Sequence, residues 1–112
     1  MKQSPIFVRT YDFLRWLIPV TVKFPRQQRF VLAGNLQRIA LRLQEQLVAA
    51  SYADAPLPIL RQADVTLATL RLDLRLCRDL ELLKFKQYAH AARMVNEIGR
   101  LLGGWIKSVS KG

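Results

Sequence analysis

Residues 60–83 read LRQADVTLATLRLDLRLCRDLELL, and this stretch decides the fold. Leu60, Ala63, Leu67, Leu70, Leu74 and Cys77 recur at alternating steps of three and four, which lines them along one face of an α-helix. No run of strict apolar/polar alternation competes with that period. A second apolar set, Val65, Leu72, Leu76, Leu80 and Leu83, falls on nearly the opposite side at ~100° per residue. A helix in a monomeric bundle needs only one such stripe. The second predicts an oligomer or a partner protein on that face, with Val65, Leu72, Leu76 and Leu80 as the contact residues. A helix buried centrally in an irregular bundle would show the same two stripes.

Outward from this helix the same period repeats. Ala55-Pro56-Leu57-Pro58 precedes it and ends a helix expected over 25–53, whose stripe is Leu32, Leu36, Ile39, Leu43, Leu47 and Ala50. Upstream, Phe7, Tyr11, Leu14 and Ile18 define a helix over 5–22, with a bend expected near Arg15 to Pro19 because proline removes a hydrogen bond from the preceding turn. Downstream, Tyr88, Ala92, Val95, Ile98, Leu102 and Trp105 or Ile106 define a helix over 86–108, weakened near its end by Gly103-Gly104. The third helix is expected over 58–82. Four amphipathic helices joined by short connectors predict an all-α, up-down-up-down four-helix bundle, and 1–112 is read as one domain.

Charge sets the class of function. Eighteen Lys and Arg stand against eight Asp and Glu, a formal net charge of +10, and twelve of the cations are Arg. Such a field draws polyanions, and guanidinium forks match phosphate and stack on bases. On the third helix Arg71, Arg75 and Arg78 lie i, i+4, i+7 along a strip between the two apolar faces. Asp64, Asp73 and Asp79 are too few and too poorly aligned to neutralise it. On the fourth, Lys86, Arg93, Arg100 and Lys107 recur every seven residues and drift only ~20° per step, drawing a cationic line roughly 32 Å long. Glu97 is spaced to pair with Arg93 or Arg100. At the start of the second helix, Arg26 and Arg29 sit where cations oppose the helix dipole, which points to a functional use. The alternative to a functional use is an apolar staple, in which Phe24 packs against Phe30 or nearby residues to set the entry angle. These nine cations are the candidate nucleic-acid or partner surface; no aromatic RNA-recognition motif or zinc-finger spacing supports base readout.

Catalysis has little to use. His90 has no cysteine near it in its helix, Cys77 has no histidine in its own, and Asp73 and Asp79 do not share a face. No glycine-rich phosphate loop is present, so the expectation is a non-enzyme with no cofactor and no metal. A single cysteine fits a reducing cytoplasm, and no segment reaches the ~18 uncharged residues of a membrane span, so no membrane role is expected.

Several segments resemble a known family. Thr10-Tyr11-Asp12-Phe13-Leu14 with Trp16-Leu17, the run from Lys23 to Leu32 (KFPRQQRFVL), Leu72-Asp73-Leu74-Arg75-Leu76, Gln87-Tyr88, and above all the run from Glu97 to Trp105 (EIGRLLGGW) are similar to the accessory variability determinant (Avd) proteins of diversity-generating retroelements. The resemblance implies a four-helix bundle that assembles as a basic pentameric barrel. It also implies binding to a reverse transcriptase and to template RNA and DNA in support of mutagenic copying, with the polymerase performing the chemistry. Under it Arg71, Arg75, Arg78, Arg93 and Arg100 become candidates for the reverse-transcriptase or RNA surface. The Phe24-Pro25 pair alone is shared with bundle proteins encoded in ribosomal-RNA intervening sequences, and a nucleic-acid-associated structural role of that type, without a reverse transcriptase, is the alternative.

Overall fold

A computed structural model describes residues 4–111, and among them every regular element is helical. Helix α1 spans Pro5–Val22. Helix α2 is a rod in three parts: an α-turn Arg26–Gln28, a π-helical turn Arg29–Ala33 and an α-helix Gly34–Tyr52. Helices α3 and α4 span Leu57–Asp79 and Phe85–Ser110. Each helix packs on the next and α4 returns against α1, so α1 and α3 occupy diagonal corners of a four-helix bundle measuring 47 × 26 × 23 Å.

Each boundary has a local cause. Pro5 opens α1 and Pro58 lies in the first turn of α3, where a missing N–H costs nothing. Helix α3 ends at Asp79, short of the expected residue 82, in a reversed turn. Glu81 takes φ 62°, its N–H donates to the Arg78 carbonyl (2.9 Å), and the Leu82 N–H donates to the Cys77 carbonyl (2.8 Å). That pair of bonds is the Schellman pattern, and it satisfies carbonyls the helix end would otherwise orphan. At the start of α4 the Lys84 N–H donates to Gln87 Oε1 at 2.9 Å.

The core follows the predicted stripe of α3 without exception: Leu60, Ala63, Leu67, Leu70, Leu74 and Cys77 are all buried. In α2 the stripe is buried from Leu36 to Ala50 and half-buried at Leu32. Val95, Ile98 and Leu102 of α4 are buried, joined by Ala91, while Tyr88 and Ala92 stand at the margin.

Helix α1 departs from expectation. Its buried face is Ile6, Thr10, Phe13, Leu14, Leu17 and Thr21, rotated by roughly a quarter turn from the predicted one, and Tyr11 and Ile18 are exposed. The threonines enter the core because their hydroxyls donate back along the helix, Thr10 to the Ile6 carbonyl (2.8 Å) and Thr21 to that of Leu17 (2.9 Å). Gln37 Nε2 of α2 donates to Thr21 Oγ1 at 2.8 Å and ties the two helices together. Pro19 lies within α1 on its exposed side and does not divide the helix.

Three further expectations are corrected. Helix α4 continues through Gly103-Gly104 to Ser110, past the expected residue 108: both glycines face open space, while Trp105, Ile106 and Val109 pack on the core. Leu83, read with the outer stripe of α3, is buried, because the reversed turn after Asp79 redirects the chain inward. Phe24 is buried whereas Phe30 is 90% exposed, so the staple is Phe24 in the core rather than a Phe24–Phe30 pair.

Candidate functional site

The fourth helix sets the longest feature. Its buried face is Ala91, Val95, Ile98 and Leu102, and Lys86, Arg93, Arg100 and Lys107 lie exposed on the opposite side. Arg100 is forked onto Glu97, with Nη2 toward Oε1 and Nε 3.3 Å from Oε2. That hydrogen-bonded pairing holds the Glu97 carboxyl below its ordinary range and the Arg100 guanidinium above its own. Among the described residues, no carboxylate lies within ion-pair distance of Lys86, Arg93 or Lys107.

Helix α3 supplies the second row. Arg78 lies 4.6 Å from the centre of the Tyr88 ring and donates to Asp79 Oδ1 through Nε (3.1 Å) and Nη2 (2.9 Å). Arg75 reaches the other oxygen of Asp79 at 4.0 Å. Asp79 therefore engages two of the three arginines, more than the sequence spacing suggested. Asp73 turns the other way and accepts from Asn35 Nδ2 of α2 at 3.0 Å. Among the described residues no carboxylate lies within ion-pair distance of Arg71, which lies across Gly99 of α4 at the edge of a hollow of about 220 Å³ lined also by Leu74, Tyr88, Ala92, Val95 and Asn96.

The two rows are thus neighbours. Arg71 and Arg78 lean onto α4 at Gly99 and Tyr88, and the line from Lys86 to Lys107 lies roughly a third of a turn farther round that helix. Ala89, Asn96 and Gly103 occupy the strip between, so the cations border a trough of small side chains. Backbone or phosphate can approach such a floor closely.

Arg26 and Arg29 sit elsewhere, at the end of the bundle that holds the α1–α2 turn; the Asn35–Asp73 bond puts the C-terminal half of α3 beside that end. Both are exposed. Arg29 Nε donates to the Phe24 carbonyl at 3.3 Å.

Two apolar surfaces remain uncovered. Val65, Leu72, Leu76 and Leu80 of α3 are 63, 65, 44 and 52% exposed, so the outer stripe faces solvent in the isolated chain. The sequence reading missed the other: Tyr11, Leu14, Ile18 and Pro19 of α1 with Leu41 of α2, walled by Arg15 and Gln44, line a groove of about 390 Å³. Its signal was present in the heptad step from Leu41 to Val48, both exposed.

The residues weighed for catalysis are dispersed. Cys77 is buried and its thiol is pushed up to about 11, first by burial and then by the charge of Asp73. His90 packs 5.0 Å from the Trp16 ring at the α1–α4 seam. Among the described residues no cluster of three or more His, Cys, Asp or Glu is placed to hold a metal ion. No helix among them is long and apolar enough to cross a membrane.

These features define a small basic four-helix bundle with exposed cationic rows and exposed apolar surfaces. A protein-family model described as bAvd-like matches residues 6–109, nearly the whole chain. The chain belongs to that family, the Avd-type accessory proteins of diversity-generating retroelements, which are of a non-catalytic kind. No curated protein matches it.

Proposed function

We propose that the protein is a cytoplasmic accessory subunit that binds a retroelement reverse transcriptase and its template RNA or DNA, and that the polymerase performs the copying chemistry. The observation that carries this reading is the trough bordered by Arg71, Arg75 and Arg78 on one side and by Lys86, Arg93, Arg100 and Lys107 on the other. The α4 row runs ~32 Å with the α3 row covering ~10 Å beside it, a span that suits a phosphate backbone better than a single small anion. Arg26 and Arg29 extend the basic surface to one end of the bundle.

The two uncovered apolar surfaces support a homo-oligomer. Because α1 and α3 stand at diagonal corners, the α3 stripe and the α1–α2 groove belong to different sides of the bundle. Two dissimilar faces of this kind suit head-to-tail contacts, which close into rings, better than a two-fold dimer. Five copies is the number the family resemblance implies.

Replacing Arg71, Lys86, Arg93 and Lys107 together by glutamate tests the reading. The variant is expected to lose co-purification with the polymerase and with template RNA at physiological salt. Wild-type affinity should fall steeply with salt, by a log–log slope of ~0.7 to 0.9 per phosphate contact. Retained RNA and polymerase binding by the fourfold variant would refute the assignment.

A further inference from the structure

The π-helical turn at the start of α2 presents a surface that neither the trough nor the apolar faces absorb. Phe30 is the most exposed large hydrophobic residue among those described, at 90%. Its position has a backbone cause. The Gly34 N–H bonds to the Arg29 carbonyl five residues back, so this turn is wider than an α-turn and advances each residue by less than the usual ~100°. Ala33 stays buried and Leu32 half-buried, and Phe30 is swung outward. Such turns recur at functional sites.

Arg26, Arg29, Phe30 and Gly34 border one surface hollow of about 540 Å³. The bond from Arg29 Nε to the Phe24 carbonyl fixes that guanidinium against a buried residue, and its terminal N–H groups meet no carboxylate among the described residues. Lys23 adds a third exposed cation. From residue 13 to residue 44 the sequence has no Asp or Glu at all. An aromatic face open to solvent and flanked by uncompensated arginines has the two elements that an unpaired nucleotide recognises: a surface to stack on, and charge for its phosphates. A duplex offers phosphates but keeps its bases stacked on each other. A protein partner would want a pocketed anchor, whereas Phe30 stands clear of its neighbours.

We propose that Phe30 is a stacking platform for an unpaired base of single-stranded nucleic acid, with Arg26 and Arg29 holding the adjoining phosphates. This deepens the nucleic-acid reading above and rests on it. The site selects single strands over duplexes without reading sequence, because every base has a π-face.

The test uses the full chain and an oligouridylate 12-mer carrying one central 2-aminopurine, with a 12-base-pair RNA duplex as the comparison. Binding of the wild type quenches the 2-aminopurine fluorescence. Phe30→Ala is expected to lose the quench and to weaken single-strand binding about five- to a hundredfold, with duplex affinity held within about twofold. Phe30→Trp is expected to restore both quench and affinity. Unchanged quench and affinity in Phe30→Ala would overturn the stacking role while leaving the nucleic-acid reading intact. Equal losses for single strand and duplex would also overturn it, as would loss of assembly in light scattering, which would make Phe30 a contact between copies. Absence of binding to either probe by the wild type would defeat the nucleic-acid reading itself, and this inference with it.

Discussion

Gly99 of α4 is the seat of Arg71 of α3: a methyl group at Gly99 would overlap the Arg71 guanidinium, and the next contact it would make, Leu67 Cδ2 at 3.4 Å, is ordinary packing. The missing side chain therefore sets where a cation lies, because the only atom it would displace is the end of a flexible arm. Gly99→Ala separates placement from folding. The helix gains ~0.5 to 1 kcal/mol in propensity, and the melting midpoint followed by circular dichroism is expected to rise by about 2 to 5 °C. RNA affinity measured by filter binding falls at the same time. A more stable variant with undiminished affinity would remove Arg71 from the binding surface.

Glu97 restrains Arg100, and Glu97→Gln is expected to release it. Both groups are exposed, so thermal stability changes little, whereas nucleic-acid affinity rises. The Glu97 pKa is lowered in the folded chain by its hydrogen bond with Arg100, so the pair is complete above the usual glutamate value and is lost as pH falls through the lowered one. A side-chain carbon NMR titration checks the sign. The Glu97 midpoint lies below the reference of ~4.3 and returns toward it in Arg100→Gln.

The outer stripe of α3 carries a prediction about mass. Leu72 and Leu76 are exposed in the single chain, so Leu72→Arg with Leu76→Arg leaves the fold of one copy within about 0.5 kcal/mol per site. Light scattering is expected to report a smaller species than the wild type. An unchanged mass would mean that the stripe is not a contact between copies.

Cys77 is expected to be inert. With its thiol pushed up to about 11, the thiolate fraction at pH 8 is on the order of one in a thousand, and burial blocks access as well. Ellman's reagent should find no reactive thiol in the native protein and one per chain in guanidinium chloride. The folded pKa lies above the reference of 9.0, so this group's contribution to stability is intact below about pH 9 and is lost as pH rises toward 11.

Glu81 holds the reversed turn between α3 and α4 at φ 62°, a conformation that costs a residue with a Cβ about 1 kcal/mol. The turn is stabilised by backbone bonds that a glycine would keep. Glu81→Gly is expected to raise the urea midpoint by an amount equivalent to about 1 kcal/mol, with no change in the slope of the transition.

Much of this architecture was legible because α3 states its period twice. The stripe from Leu60 to Cys77 names the core, and the surplus stripe from Val65 to Leu80 is the exposed face. Helix α1 misled because two apolar rows overlap on it, and the true one passes through Thr10 and Thr21, whose polarity is cancelled by bonds to carbonyls four residues back. Only the packed bundle shows which row turns inward. The cationic line of α4 followed directly from its seven-residue step. Its convergence with Arg71 and Arg78 depends on a tertiary contact at Gly99 and Tyr88 that no spacing encodes. The hold of Asp79 on Arg75 and Arg78 exceeds what the spacing of the carboxylates suggested, because one short side chain beside both can bond each of them. The widened turn at Arg29–Ala33 was not legible, since no spacing of residue types there sets it apart from an ordinary α-turn.

Helix α3 presents leucines and arginines on adjoining flanks, so whatever settles on the leucines also crowds the arginines. Each copy added to an assembly through that flank raises the electrostatic repulsion its neighbours feel, and a bound strand screens it. Under the proposed function, self-association and strand loading would then be thermodynamically linked, each strengthening the other by the same factor, with salt weakening the link.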